Sequence, residues 1–477
     1  MKKYVLYILT LLAGTSCSDF LELQPEHQIS DGSFYKNAND FETALIGSYS
    51  SLQNLYDANL VYVGELTTDN AEIQWTTPSI FEVELDEVNF TSANNFLNSI
   101  WQISFNLVSQ SNNILSRIDG VAMGNQIKDQ LKGEALFLRA FGNFNLVRTF
   151  GPVPIVEVAF RSPGEIAAYD MSRKPEAEVY QMIEEDLNQA VSLLSGVNGL
   201  GKSRASSAAA MTLLGKVYLT KMEYSNAETA LKGVVDSNEF SLESDYKSLF
   251  TNGNDELLES IFEIKYMSGN LGVGNGFSST FTPARFDMDI FPNQMQGSGR
   301  ILPTPEMADA YEDGDLRRAA SIGDSVRVIS GGFEKELYGL KFVDFTTGVT
   351  GDGGINFTAL RYADVLLMYA EALNQNGNQD EAMNYLNMVR DRAGLPDLSG
   401  LDQVALADAL AHERRVELFL EGHRWYDLVR TGKLLTVMNT YFERNSLNFE
   451  VQDYNRLMPI PLRELDINPS LGQNTGY

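Results

Sequence analysis

Cys17 is the only cysteine among 477 residues, so no disulfide can close within the chain and the fold must be held by packing. Its position says more. Residues 1–16 read as a secretory leader: Lys2 and Lys3 give the positive start, Tyr4 to Ala13 the apolar core, and Gly14-Thr15-Ser16 the small residues before a cut. A lone thiol directly after such a leader predicts a lipoprotein, with diacylglyceryl on the Cys17 sulfur, cleavage before it and acylation of the freed amine. Gly14 departs from the aliphatic residue usual three positions ahead of such a cysteine. Beyond the leader no apolar run is long enough to span a bilayer. The acyl chains, at about 0.8 kcal/mol per buried methylene, are therefore the expected anchor.

A hydrophobic content of 44% with 10% aromatics is that of a globular chain, and its length allows two or three domains. The formal net charge is −28, and loss of Lys2 and Lys3 with the leader takes it to about −30. That excess argues against nucleic acid and against docking on anionic lipid. It says nothing about neutral ligands.

Residues 17–36 read as the lipidated cysteine and a polar tether. Helical periodicity begins near Asp40, returns from Asn95 to Arg117 and again from Gln126 to Phe150, and stops at Gly151-Pro152-Val153-Pro154. Residues 63–89 are mixed and loop-like. Two later segments resemble each other. Gly215, Ala227 and Leu231 have the same spacing as Ala370, Ala382 and Leu386, which is the helix–turn–helix spacing of a tetratricopeptide unit. The copies are far apart, so the expected solenoid is interrupted. The expected fold class is mainly α, a tetratricopeptide-like helical scaffold with long irregular insertions and little β. The expected regions are an N-terminal helical part (37–238), a loop-rich ligand-face insertion (239–350) and a C-terminal helical part (351–477). Phenylalanines interleaved with glycines and prolines in the insertion argue against disorder.

No catalytic constellation stands out. His27, His412 and His423 are the only histidines, and His412-Glu413 is not followed by a second histidine four residues on. No nucleophile elbow, P-loop or dinucleotide fingerprint is present. With 64 Asp and Glu, a carboxylate pair can always be proposed and therefore carries no information. Nothing in the sequence asks for a cofactor or a metal ion, and no enzymatic activity is expected. The stretch Glu413 to Leu434 alternates Arg and Glu with Val416, Phe419, Trp425 and Leu428. It reads as a helix that clasps neighbouring layers through ion pairs.

These features, taken in order, resemble the SusD/RagB family, surface glycan-binding lipoproteins of nutrient-uptake systems. Ser18-Asp19-Phe20-Leu21 and Pro25 are similar to the family's start. Glu134-Ala135, Phe137-Leu138-Arg139-Ala140 and Gly151-Pro152-Val153-Pro154 are similar to its long central helix and stop. Glu413-Arg414-Arg415, Glu417-Leu418, Glu421-Gly422, Arg424, Asp427-Leu428 and Gly432 follow its signature helix. Pro459-Ile460-Pro461, Glu464, Asn468-Pro469, Gln473-Asn474 and Gly476-Tyr477 are similar to its end. The resemblance implies a protein on the cell outer membrane, facing the exterior. There it would act as the lid of a SusC-like TonB-dependent barrel and capture a glycan. A peptide-capturing lid of the same architecture is the alternative.

A sugar ring presents an apolar C–H face, so its site wants exposed aromatics with amide, carboxylate or arginine groups at their edges. Trp101 and Trp425 lie in helical stretches and are expected to pack in the scaffold. Trp75 lies in a loop after Asp69 and Asn70, and these three are expected to contribute to ligand binding, as the family's early loop does. Phe281, Arg285 and Phe286 are the expected contribution of the Tyr266–Phe291 insertion.

Overall fold

The computed structural model describes residues 34–74, 78–197 and 199–477, apart from the side chain of Ala58. Cys17, the tether up to residue 33 and Trp75 lie outside the described residues.

Helix α1 (Ala38–Leu55) begins at Asn37, whose side chain accepts from the N–H groups of Asn39 and Asp40. It buries Phe41, Leu45 and Leu52 on one face, against α2 (Asn95–Ile118). Next comes α3 (Asn125–Phe150), buried on nearly every face from Leu131 onward and so the centre of the scaffold. Gly151 ends it at φ 73°, its N–H returning to the Val147 carbonyl. Helix α4 (Glu176–Leu194) covers the other side of α3. Gly133 permits the approach, because a Cβ there would lie 2.8 Å from Leu194 Cγ.

The two segments of matching spacing are helical hairpins: α5 (Ser207–Thr220) with α6 (Tyr224–Asp236), and α7 (Tyr362–Gln375) with α8 (Gln379–Arg392). A Cβ on Gly215 would sit 2.5 Å from Leu231 Cγ, so the small residue is what lets the first hairpin close. Helix α6 packs directly against α7. The solenoid is interrupted in sequence but continuous in space.

The intervening chain leaves the stack and returns. Its longer strands are β1 (Ser260–Ile264), β2 (Ile322–Arg327), β3 (Phe333–Gly339) and β4 (Phe357–Arg361). Antiparallel pairing of β1 with β4 ties the base of this excursion, and β2 with β3 form a hairpin. Phe277 packs against Phe281, Phe342 and Phe357 at ring separations of 5.4–5.6 Å, which gives the excursion its own core.

After the second hairpin come α9 (Gln403–Glu417), α10 (Arg424–Arg430) and α11 (Leu434–Arg444). The charged stretch expected as one helix is thus two. Leu420 (φ 66°) and Gly422 (φ 76°) break it. The break lets Gly422 meet Gly64 so closely that a Cβ on Gly64 would lie 2.3 Å from the Gly422 carbonyl oxygen. Among the described residues no helix is long and apolar enough to cross a membrane.

Candidate ligand-binding face

Buried charge fixes the insertion to the scaffold. Glu417, at the end of α9, accepts from Arg317 at 2.8 Å, Arg361 at 2.5 Å and Arg392 at 2.5 Å. Arg361 also reaches Glu421 at 2.7 Å and Glu259 at 2.9 Å, and Lys341 pairs with Glu421 at 2.8 Å. Burial pushes the Glu417 carboxyl up, but Arg392, Arg361 and Arg317 outweigh it and hold the group well below the usual carboxylate range. Arg317 and Lys341 come from the insertion and Arg361 and Arg392 from the C-terminal helical part. The charged stretch is therefore the clasp between layers that its pattern predicts.

Asp69 and Asn70 belong to the same clasp and are turned into the protein, not to its surface. Asp69 is buried and takes two hydrogen bonds from Arg424 and an ion pair from Arg415 at 2.9 Å. Burial raises its carboxyl, yet Arg424 and Arg415 hold it below its ordinary value. Asn70 is also buried, donating to Glu65 at 3.2 Å and accepting from Arg415 Nε at 2.8 Å. The polar pair that reads as a loop edge is consumed by arginines far along the chain.

Phe281 is corrected likewise. It is fully buried, stacks on Phe277 at an interplanar angle of 11°, and has no face to offer. Arg285 lies near the surface, but its guanidinium is taken up by Asp287, Glu334 and Glu336. It anchors the β2–β3 hairpin. Trp101 and Trp425 are packed in the scaffold, the first against Phe105 and Phe150, the second edge-on to Phe90.

Phe286 remains, 86% exposed. Close to it the backbone adds an antiparallel bridge to the hairpin, Met288 with Val328. Asp289 N–H donates to Arg327 O at 2.8 Å, and Ile329 N–H donates to Asp287 O at 2.8 Å. Met288, Val326 and Val328 turn inward and are buried, while Arg327, Ile329 and Phe333 are exposed, Phe333 at 73%. Arg285 bonds Glu334, so the segments carrying Phe286 and Phe333 are held side by side. Exposed Phe286, Ile329 and Phe333 thus lie on neighbouring segments, with Asp287, Asp289, Arg327 and Glu334 among them. Sequence reasoning missed Ile329 and Phe333. The available signal was the Gly331-Gly332 pair following alternating Val326 and Val328, a hairpin pattern.

The loop that leads to Trp75 meets this region. Gln74 Oε1 accepts from Ala284 N–H at 2.7 Å, and Gln74 N–H donates to Gly299 O at 2.8 Å. The last described residue before Trp75 thus adjoins Ala284, two residues from Phe286. Among the described residues no group of His, Cys, Asp and Glu is arranged to hold a metal ion.

Residues 324–477 match the SusD family model, and residues 19–219 match a family described as starch-binding associating with outer membrane. SusD-like protein P2 of Formosa agariphila is 30% identical, with all of both chains covered. A solved laminarin-binding SusD-like protein superposes with a TM-score of 0.80 at 26% identity, covering 93% of this chain and 100% of that one. Surface glycan-binding protein A from Bacteroides fluxus gives 0.80 at 25% identity, with the same coverage. The tetratricopeptide-like stack, the clasp and these likenesses lead to one conclusion: the chain belongs to the SusD family.

Proposed function

We propose that this protein is a cell-surface glycan-binding lipoprotein that captures an oligo- or polysaccharide and serves as the lid of a SusC-like TonB-dependent outer-membrane barrel. It is anchored through Cys17 and faces the cell exterior. The observation that carries the reading is the likeness of nearly the whole chain to a laminarin-binding relative and to a surface glycan-binding protein. The face around Phe286 and Phe333 is compatible with that chemistry. Apolar rings suit the C–H face of a sugar, and the carboxylates of Asp287, Asp289 and Glu334 suit its hydroxyls. Trp75 is proposed as a further ligand contact. The protein binds and hands over; it does not cleave.

The test is to screen the purified mature chain against a panel of neutral and acidic polysaccharides and, in parallel, against a mixed peptide digest. Saturable binding of a polysaccharide, weakened by Phe286→Ala, is expected. Binding confined to the peptide digest would replace the glycan reading with the peptide-lid one.

A further inference from the structure

A second site lies in the scaffold, separate from the exposed face. A cavity of about 370 Å³ opens between α3, α4, α5 and α10. Its mouth carries exposed Glu176, Met222 and Arg456, and its interior holds Arg148, Lys216, Arg414 and Arg430. That volume is in the range of small-molecule sites rather than of a packing defect.

The cations of this cavity are not equivalent. Lys216 pairs with Asp364 at 2.8 Å. Arg414 is shared between Asp364 at 2.7 Å and Asp427 at 3.1 Å. Arg430 holds Glu371 at 2.5 Å and Asp427 at 2.8 Å, and Arg456 holds Asp453 at 2.9 Å. Among the described residues no carboxylate lies within ion-pair distance of Arg148. Its guanidinium is 3.9 Å above the Tyr426 ring and 4.9 Å from that of Phe144. One terminal nitrogen donates to Asn145 Oδ1 at 2.6 Å, while Nε is buried with no acceptor. A largely enclosed guanidinium without a paired carboxylate is costly, and the position calls for a counter-charge. Lys216 Nζ, 3.4 Å from His423 Nδ1, stands in the same wall. The carboxylates lining the cavity are Asp427, already shared by two arginines, and Glu176 at the mouth.

We propose that this cavity binds a small organic anion, one carboxylate or phosphate group on a carrier of about monosaccharide size, with Arg148 as its principal partner and Lys216 beside it. Arg148 is laid flat on Tyr426, which fixes the plane of its guanidinium, and with no carboxylate paired to it the charge is left for the anion. The acidic character of the whole chain disfavours loose association of anions, so a saturable effect requires a local site. The site is independent of the glycan reading, because its residues lie on α3, α5 and α10 and none belongs to the face around Phe286.

The experiment is calorimetric titration and thermal unfolding of the mature chain with inorganic phosphate, glucuronate and, as a neutral control, glucose, at constant ionic strength. Wild type should show saturable heat and a rising melting temperature with phosphate or glucuronate and none with glucose. Arg148→Met should weaken binding by at least about tenfold, since a charge-assisted contact is lost. Arg148→Lys should retain part of it. Glu176→Gln, an exposed change that leaves packing intact, should tighten it by removing a like charge from the mouth. Absence of saturable binding in wild type, equal responses in wild type and Arg148→Met, or an equal response to glucose would each overturn the proposal. Polysaccharide binding by Arg148→Met should match wild type, which separates failure here from failure of the glycan reading.

Discussion

Arg424 grips Asp69 through two parallel hydrogen bonds, Nε to Oδ1 at 2.9 Å and Nη2 to Oδ2 at 3.1 Å, joining positions 355 residues apart. Both side chains are largely buried, so the pair is a fixed joint between the early loop and the C-terminal helices. Removing one partner leaves the other desolvated. Arg424→Ala should therefore cost about 2–4 kcal/mol, read as a lower denaturant midpoint. Glycan affinity measured well below the transition should hardly change. Asp69 is depressed in the folded state, so its contribution is present above the unfolded carboxylate pKa and lost as pH falls through the folded one. The acid sensitivity of wild type below about pH 4 should be blunted in Arg424→Ala. A variant of unchanged stability that no longer binds would move the ligand site to this helix.

Glu65 titrates in the opposite sense. Burial pushes its carboxyl up to about 7, against hydrogen bonds from Asn70 and Gly422. A carboxyl raised on folding holds its proton more tightly in the native state than in the unfolded one. Its stabilising effect is full below about pH 4.5 and declines as pH rises toward 7, by up to about 3 kcal/mol. Glu65→Gln keeps an acceptor for the Gly422 N–H and no longer titrates. Unfolding free energy measured from pH 4.5 to 7.5 should then slope less steeply downward than in wild type. Superimposable slopes would show that Glu65 stays ionised in the folded protein.

The hairpin contact between Gly215 and Leu231 gives a packing test. Gly215→Ala puts a methyl where Leu231 already stands, both residues being fully enclosed, and should destabilise by about 1–3 kcal/mol. Leu231→Ala alone opens a cavity and should cost about 2–5 kcal/mol. The double variant should be more stable than the sum of the two predicts, because each change relieves the other. Strict additivity in a double-mutant cycle would mean that the helices simply move apart.

Local pattern made the scaffold legible, and long-range pairing hid the site. The Gly215–Leu231 and Ala370–Leu386 spacings encode two hairpins because helix contacts repeat within a few residues. The ion-pair stretch read correctly as a clasp because its composition declares it. Asp69 and Asn70 misled because a polar loop residue reads the same whether it meets water or an arginine hundreds of residues away. Phe281 misled because the excursion between α6 and α7 has a core of its own, so an aromatic in a glycine-rich segment was not thereby exposed. Phe333 escaped notice because it opens β3, a strand inside a segment that reads as a loop-rich insertion.

Anchoring is tested at Cys17. Cys17→Ala removes the thiol to which acyl chains would be joined, and no described helix can hold the chain in a bilayer. Expressed in cells without the proposed barrel partner, the variant should move from the membrane to the soluble fraction. A variant that sediments with membranes like wild type would remove the lipoprotein reading.

The two phenylalanines of the insertion separate binding from folding. Phe286 has its ring in solvent, so Phe286→Ala leaves no cavity and should hardly move the melting temperature. If the ring stacks on a sugar, affinity should fall by about five- to thirtyfold, equivalent to about 1–2 kcal/mol. Trp75→Ala, which removes a larger ring, should weaken binding about tenfold to a hundredfold. Phe281→Ala is the converse. It empties a sealed position beneath Phe277 and should destabilise by about 3–5 kcal/mol, with affinity retained at temperatures where the variant is folded. Calorimetry and thermal unfolding on the same three variants decide the matter. Unchanged affinity in both Phe286→Ala and Trp75→Ala would show that neither ring is a ligand contact.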